Sequence, residues 1–207
     1  MFNTFLTKAI TVFKDETLRK RILFTVGALV VFRLLAAIPI PGVDTKALAQ
    51  LLSSSQFFGF LNIFSGGGLS NLSIVMLGVG PFITASIIIQ LLTMMVPSWK
   101  ALMHEEGEAG RMKLSQYSRY LAMPLAIVQA IGFLILLQSQ NVLPHFAFFP
   151  AAVNVIVIAG GSILLMWIGE LISEFGIGNG VSLLIFAGIV SRLPTDAGQD
   201  RKSTRLN

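Results

Sequence analysis

Two histidines are the side chains with the readiest claim on metal or acid–base chemistry, and neither stands in a catalytic spacing. His104 opens the run His104-Glu105-Glu106, but a zinc-hydrolase helix needs a second His four residues on, and position 108 is Glu. His145 lies beside Pro144 in a stretch that reads as a loop. No pair of acids stands within the long apolar runs, as an intramembrane aspartyl protease requires. Gly176-Ile177-Gly178-Asn179-Gly180 superficially resembles a dinucleotide fingerprint, yet it follows a long apolar run and not a strand, and no acid follows about 20 residues on in a suitable unit. It reads instead as a turn that needs positive φ and allows close helix packing. The chain is therefore not expected to be an enzyme, and no catalytic residue, metal or cofactor is assigned.

Other residues gain meaning from where they stand. Arg33 falls within the first apolar run, and Glu170 near the end of the fourth. Charge inside a membrane is functional by default, but the plainer expectation is that Arg33 snorkels or sits near the outer boundary and that Glu170 sits at the interface. Ile83 and Ile87 are four apart, hence on one helix face and about 6 Å apart along the axis. Ile185 and Ile189 repeat that spacing. On spacing alone, such isoleucines simply face lipid.

Composition says which elements must carry these residues. Of 207 residues, 54% are hydrophobic and 12% charged, against about 25% charged in an ordinary soluble domain. No Asp, Glu, Lys or Arg lies between Lys46 and Lys100, or between Arg119 and Glu170, gaps of 50 residues or more. Each gap accommodates two spans of about 20 residues. The runs are continuous and lack the alternation of barrel strands, so the fold class is an all-α polytopic membrane protein. The net charge of +5 does not indicate nucleic acid, because the basic residues cluster just outside the spans, where orientation signals belong. There is no Cys, which excludes disulfides. The first apolar run ends in Pro39-Ile40-Pro41-Gly42 and not in a small-residue cleavage site, so the start does not read as a cleavable signal peptide.

Residues 1–21 are expected to form an amphipathic helix on the membrane surface, with Phe2, Phe5, Leu6, Ile10 and Phe13 at helical spacing. Spans are expected at about 22–38, 72–96, 120–137, 151–172 and 181–193, with Ser70 or Asn71 capping the second and Pro97 ending it. A polar loop is expected at 98–118. Phe57 to Leu69 is an apolar piece too short to span, hinged on Gly66-Gly67-Gly68. Such a break in a membrane chain fits a wall or stopper of a water-filled path. Five Lys or Arg lie in 1–21 and four in 97–119, against Lys46 alone in 39–71 and none in 138–150. The N-terminus is thus expected on the cytoplasmic side. Arg201, Lys202 and Arg205 in the 195–207 tail then fall on the wrong side.

Asn62-Ile63-Phe64-Ser65-Gly66-Gly67-Gly68-Leu69-Ser70-Asn71, followed by the run from Ile74 through Gly78-Val79-Gly80-Pro81-Phe82-Ile83-Thr84-Ala85-Ser86-Ile87 to Leu92, closely resembles the SecY family of protein-translocon channel subunits. Three more blocks agree in family order: Ile38-Pro39-Ile40-Pro41-Gly42-Val43-Asp44; Gly107-Glu108-Ala109-Gly110-Arg111 with Gln116-Tyr117-Ser118-Arg119-Tyr120; and Gly176-Ile177-Gly178-Asn179-Gly180-Val181-Ser182. The resemblance covers residues 1 to about 194. It implies a SecY-like N-terminal five-helix half of a clamshell channel, whose pore ring would include Ile83, Ile87, Ile185 and Ile189. The implied plug and hinge are Phe57, Phe58, Phe60, Leu61, Ile63, Phe64, Ser65, Gly66, Gly67, Gly68 and Leu69. A lateral gate would be lined by the later second span and the third. The implied partners are SecE, SecG, the SecA ATPase or the ribosome, unfolded preproteins with their signal sequences, and the lipid bilayer of a bacterial plasma membrane.

Two departures accompany the resemblance. Leu35 stands where the family carries Gly in its first span, which is expected to change packing near the waist. Family chains have about twice this length and ten spans, and residues from about Gln199 resemble nothing in the family, so a truncated reading frame with a foreign tail is expected, and the piece alone is expected to be inactive. The alternative is a piece of a secondary transporter with a discontinuous helix at its substrate site, which should place ionisable ligands beside the break. A plain membrane scaffold leaves the glycine hinge unexplained.

Overall fold

The computed structural model describes residues 15–40, 68–69, 71–104, 107–140, 143 and 148–191. Six helices fall among them: α1 (Glu16–Ala36), α2 (Gly80–Met95), α3 (Pro97–His104), α4 (Gly107–Ser139), α5 (Phe148–Phe175) and α6 (Gly180–Val190). No strand occurs among the described residues, only an isolated antiparallel bridge between Pro39 and Ser73. Two helices, α4 and α5, are long and apolar enough to cross a membrane by length and composition; α2 and α6 are shorter apolar helices.

α1 begins where Asp15 caps it, its carboxylate accepting from the Thr17 N–H at 3.0 Å. Residues 16–21, expected in a separate surface helix, belong to α1, because cap, acidic first turn and a Glu16–Lys20 pair at 2.9 Å favour one continuous helix. Of the expected loop over 98–118, residues 98–104 and 107–118 are likewise helical. α2 stops at Met95, Val96 is extended, and Pro97 starts α3. Proline fits a first helical turn, where its missing N–H has no partner to lose. α4 then runs 33 residues with Pro124 in its interior.

The packing face of α4 explains its length. Gly110, Leu114, Ser118, Ala122, Ala126, Ala130 and Leu134 are buried at every fourth position. This ridge is mostly small residues, so backbones can approach closely. α4 packs on α2 and on α5, and α5 carries α1 and α6 on its other side. Three apolar clusters fill the bundle. Leu69, Leu72, Met76, Leu134, Leu137, Leu143 and Ile158 gather near the α4–α5 turn. Phe32, Val75, Val79, Leu165, Ile172 and Leu184 form a second cluster. Ala85, Ala122 and Met166 form a third at the middle of α4.

Candidate functional site

The expected second span, 72–96, is the largest correction. Residues 71–79 are turns, and the helix occupies only Gly80–Met95. Two backbone positions leave the helical region, Leu72 with φ 41° and Gly78 with φ 60°, and Pro81 lies in the first turn of α2. α2 has Val79 as N-cap with no side-chain bond, so Asn71 does not cap it; Ser70 lies outside the described residues.

Beyond Asn71, this non-helical stretch is largely buried. Leu72, Ser73, Val75, Met76 and Val79 are all buried. Buried peptide groups need partners; some of those of the break bond within it, as the Gly78 N–H does to the Val75 carbonyl at 2.8 Å, and others find partners in distant chain. The Ile40 N–H donates to the Leu72 carbonyl at 2.8 Å, and the Ile74 N–H donates to the Ile38 carbonyl at 3.1 Å. The Ser162 hydroxyl of α5 donates to the Gly78 carbonyl at 2.7 Å. Beside it, Gly161 lets the Ile74 carbonyl approach so closely that a Cβ would lie 2.1 Å from that oxygen. The break is thus seated on α5. Ser162→Ala is expected to cost about 1–3 kcal/mol, because it strands a buried carbonyl; thermal unfolding of the purified protein reads this, and an unchanged midpoint would show that the bond carries no weight.

The structure brings two of the four candidate ring residues to one place. Ile83 and Ile185 both pack against the second cluster. Ile87 and Ile189, one turn further along their helices, are 51% and 40% exposed. Leu35 packs against the same cluster as Ile83 and Ile185. Most of the expected stopper, Phe57, Phe58, Phe60, Leu61, Ile63, Phe64, Ser65, Gly66 and Gly67, lies outside the described residues. Gly68 and Leu69 are described and both are buried. A Cβ on Gly68 would meet Ser73 Oγ at 2.9 Å and the backbone of Val75 and Met76 at 3.1 Å, so this glycine serves close packing.

The Gly176–Gly180 segment is a turn with Gly178 at φ 73°. Its glycines are contact points: a Cβ on Gly180 would lie 1.9 Å from the Gly169 carbonyl oxygen, and one on Gly176 would lie 2.6 Å from Thr25 Oγ1. The Ile177 N–H donates to Thr25 Oγ1 at 3.3 Å, and Asn179 caps α6 through the Ser182 N–H at 3.1 Å. α1, α5 and α6 are thereby tied together behind Ile185. Arg33 is exposed in the last turn of α1, where the helix dipole favours a cation. Glu170 pairs with Arg119 across α4 and α5, a contact the sequence reading missed. Its signal was available: these are the two charges that bound the uncharged run of the α4–α5 hairpin. Among the described residues no group of three His, Cys, Asp or Glu could hold a metal ion.

Comparison with known proteins bears on this arrangement. The SecY family model matches residues 73–205, a range that crosses the basic tail. The protein translocase subunit SecY of Corynebacterium glutamicum is 45% identical over 200 residues, covering 90% of this chain and 45% of that protein. The Synechocystis subunit of the same name is 48% identical over 185 residues, covering 88% and 41%. Among solved structures, Sec61 in the canine ribosome–channel complex from the endoplasmic reticulum superposes with a TM-score of 0.61 at 25% identity, covering 84% of this chain and 36% of that one. A protein-conducting channel superposes at 0.60, with the same identity and coverage. The chain spans about half the length of the curated relatives it matches.

Proposed function

The chain belongs to the SecY family, and from that premise we propose that it forms the N-terminal half of a channel that conducts unfolded secretory proteins across a membrane and releases apolar segments sideways into lipid. The observation that carries this reading is the buried break at 71–79 directly ahead of the short apolar α2. Irregular backbone at membrane depth is tolerated where protein buries it or where it lines a cavity. Here it fixes the start of α2, and with it Ile83 and Ile87, against α5 and the end of α1.

Ile83, Ile87, Ile185 and Ile189 form this half of the pore ring. An apolar ring offers a sliding chain no hydrogen bonds to hold it, and it dewets when empty. Residues 57–69 act as the stopper, with Gly66 and Gly67 as its hinge and Gly68 and Leu69 as its seated end. α2 and α4 line the sideways exit, which suits segments of about 20 apolar residues that gain free energy in lipid. The proposed setting is a bacterial plasma membrane with the N-terminus cytoplasmic, following the Lys and Arg asymmetry. SecE and SecG complete the channel. The driving force comes from SecA or a ribosome; no bond is made or broken by this subunit. The canine neighbour's ribosome complex supports the latter partner class. The transporter alternative finds no support at the break, since residues 71–95 carry no Asp, Glu, Lys, Arg or His.

Ile83→Cys and Ile87→Cys, placed in a full-length channel, are expected to crosslink to a stalled translocating chain. Leu92→Cys, nine residues on from Ile83 and therefore on the opposite face of α2, is the control and is expected not to crosslink. Equal yields at all three positions would remove the pore assignment.

A further inference from the structure

One end of the bundle gathers all the features of a membrane boundary. The ion pair between Arg119 and Glu170 joins α4 to α5 there. Its facing atoms, Nε and Oε1, are closed to solvent, while the two side chains remain 43% and 23% exposed. At about 1.5 Å per residue, α4 rises about 30 Å from Arg119 to Ser139, and α5 descends about 33 Å from Phe148 to Glu170. A bilayer's hydrocarbon core is about 30 Å thick. The pair therefore closes the α4–α5 hairpin one hydrocarbon thickness below its turn.

The aromatic residues mark the same level independently. The chain has two Trp and two Tyr, and all four fall here. The rings of Trp99 and Tyr117 stand 5.3 Å apart. Tyr120 follows Arg119 in the chain and is 69% exposed; Trp167, one turn from Glu170, is 60% exposed. Trp and Tyr collect where hydrocarbon meets headgroups. One turn further into the bundle, Ala122 of α4 and Met166 of α5 meet Ala85 of α2, the point where the two exit-lining helices touch the helix behind them.

We propose that the Arg119–Glu170 pair is a positioning clamp at the inner bilayer boundary, holding α4 to α5 and setting how readily the channel opens sideways; this rests on the channel reading above. The contacts around it are small or flexible side chains, Ser118, Ala122 and Met166, which grip weakly. The charge pair supplies directional attachment at a depth where water is scarce and a Coulomb attraction is less screened than at a free surface.

In a full-length channel carrying this region, Glu170→Gln or Arg119→Gln is expected to raise export of a preprotein with a weakened signal sequence about tenfold, with export of the intact preprotein unchanged. The exchange Arg119→Glu with Glu170→Arg is expected to restore the discrimination. Losses of equal size for both preproteins, or no restoration by the exchange, would overturn the clamp. A second measurement is independent of export: disulfide formation between Ala122→Cys and Met166→Cys in membranes is expected to slow several-fold with Glu170→Gln and to recover in the exchange. An unchanged crosslinking rate overturns the clamp as well. Crosslinking that follows the expected pattern in a protein that exports nothing upholds the attachment and overturns the proposed function instead.

Discussion

Gly161→Ala is expected to destabilise the protein by about 1–3 kcal/mol or more, while Gly160→Ala, its immediate neighbour on α5, leaves stability unchanged or raises it by about 0.5–1 kcal/mol. The two glycines share a helix and a local sequence, so helix propensity acts on them alike. They differ in what a Cβ would meet. At Gly160 nothing lies within 4 Å; at Gly161 the Ile74 carbonyl oxygen would lie at 2.1 Å and its carbon at 2.8 Å. A backbone carbonyl cannot rotate away as a side-chain tip can. Alanine at 161 must therefore push the 71–79 segment off α5, breaking the Ser162–Gly78 bond and exposing Val75, which is fully buried. Thermal unfolding of the purified protein, with protease resistance of the 71–79 segment as a second probe, separates the two variants. Similar losses from both would mean that the close approach is not what holds the break.

The second large effect concerns export. The 207 residues expressed by themselves are expected to restore no secretion to a cell depleted of its own channel subunit. Ile87 and Ile189 remain half-exposed in the folded chain, and the proposed ring needs a second wall to cover them. An apolar ring excludes ions by closing on all sides, and two helices supply only part of that perimeter. Co-expression with the complementary half of a SecY relative is expected to raise secretion above background. Secretion by the 207 residues alone would overturn the half-ring reading.

Sequence reading reached the helical membrane class because uncharged runs of this length have few other uses. Ile83, Ile87, Ile185 and Ile189 were proposed through the resemblance and not through periodicity, since an isoleucine pair at i, i+4 looks the same against lipid or pore. Sequence reading misplaced the second span for a physical reason. Leu72 to Val79 is as apolar as any helix, and what keeps it from being one is distant: the carbonyl and N–H of Ile38 and Ile40, and the hydroxyl of Ser162. Gly78-Val79-Gly80-Pro81 was the local warning, a cluster of residues that interrupt helices. The 98–118 stretch erred in the opposite direction. Its polarity suggested loop, but Glu, Ala, Arg, Met, Lys and Leu are all good helix formers, and polarity reports exposure more than conformation. The Arg119–Glu170 contact was missed because pairing across 51 positions depends on the length of the hairpin between them, although the two charges that end the uncharged run marked the places to look.

The seating of the break on α5 also sets an order in time. Gly78 finds its partner in Ser162, 84 residues later in the chain, and Ile74 needs Gly161 beside it. During synthesis at about 5–20 residues per second, that partner arrives roughly 4–17 s after Gly78 has left the ribosome. Until then the segment carries unsatisfied peptide groups that only water, a chaperone or a neighbouring helix can occupy. The 71–79 segment consequently matures only after α5 has been made, and a newly made chain passes through a stage in which the break exists and its seat does not.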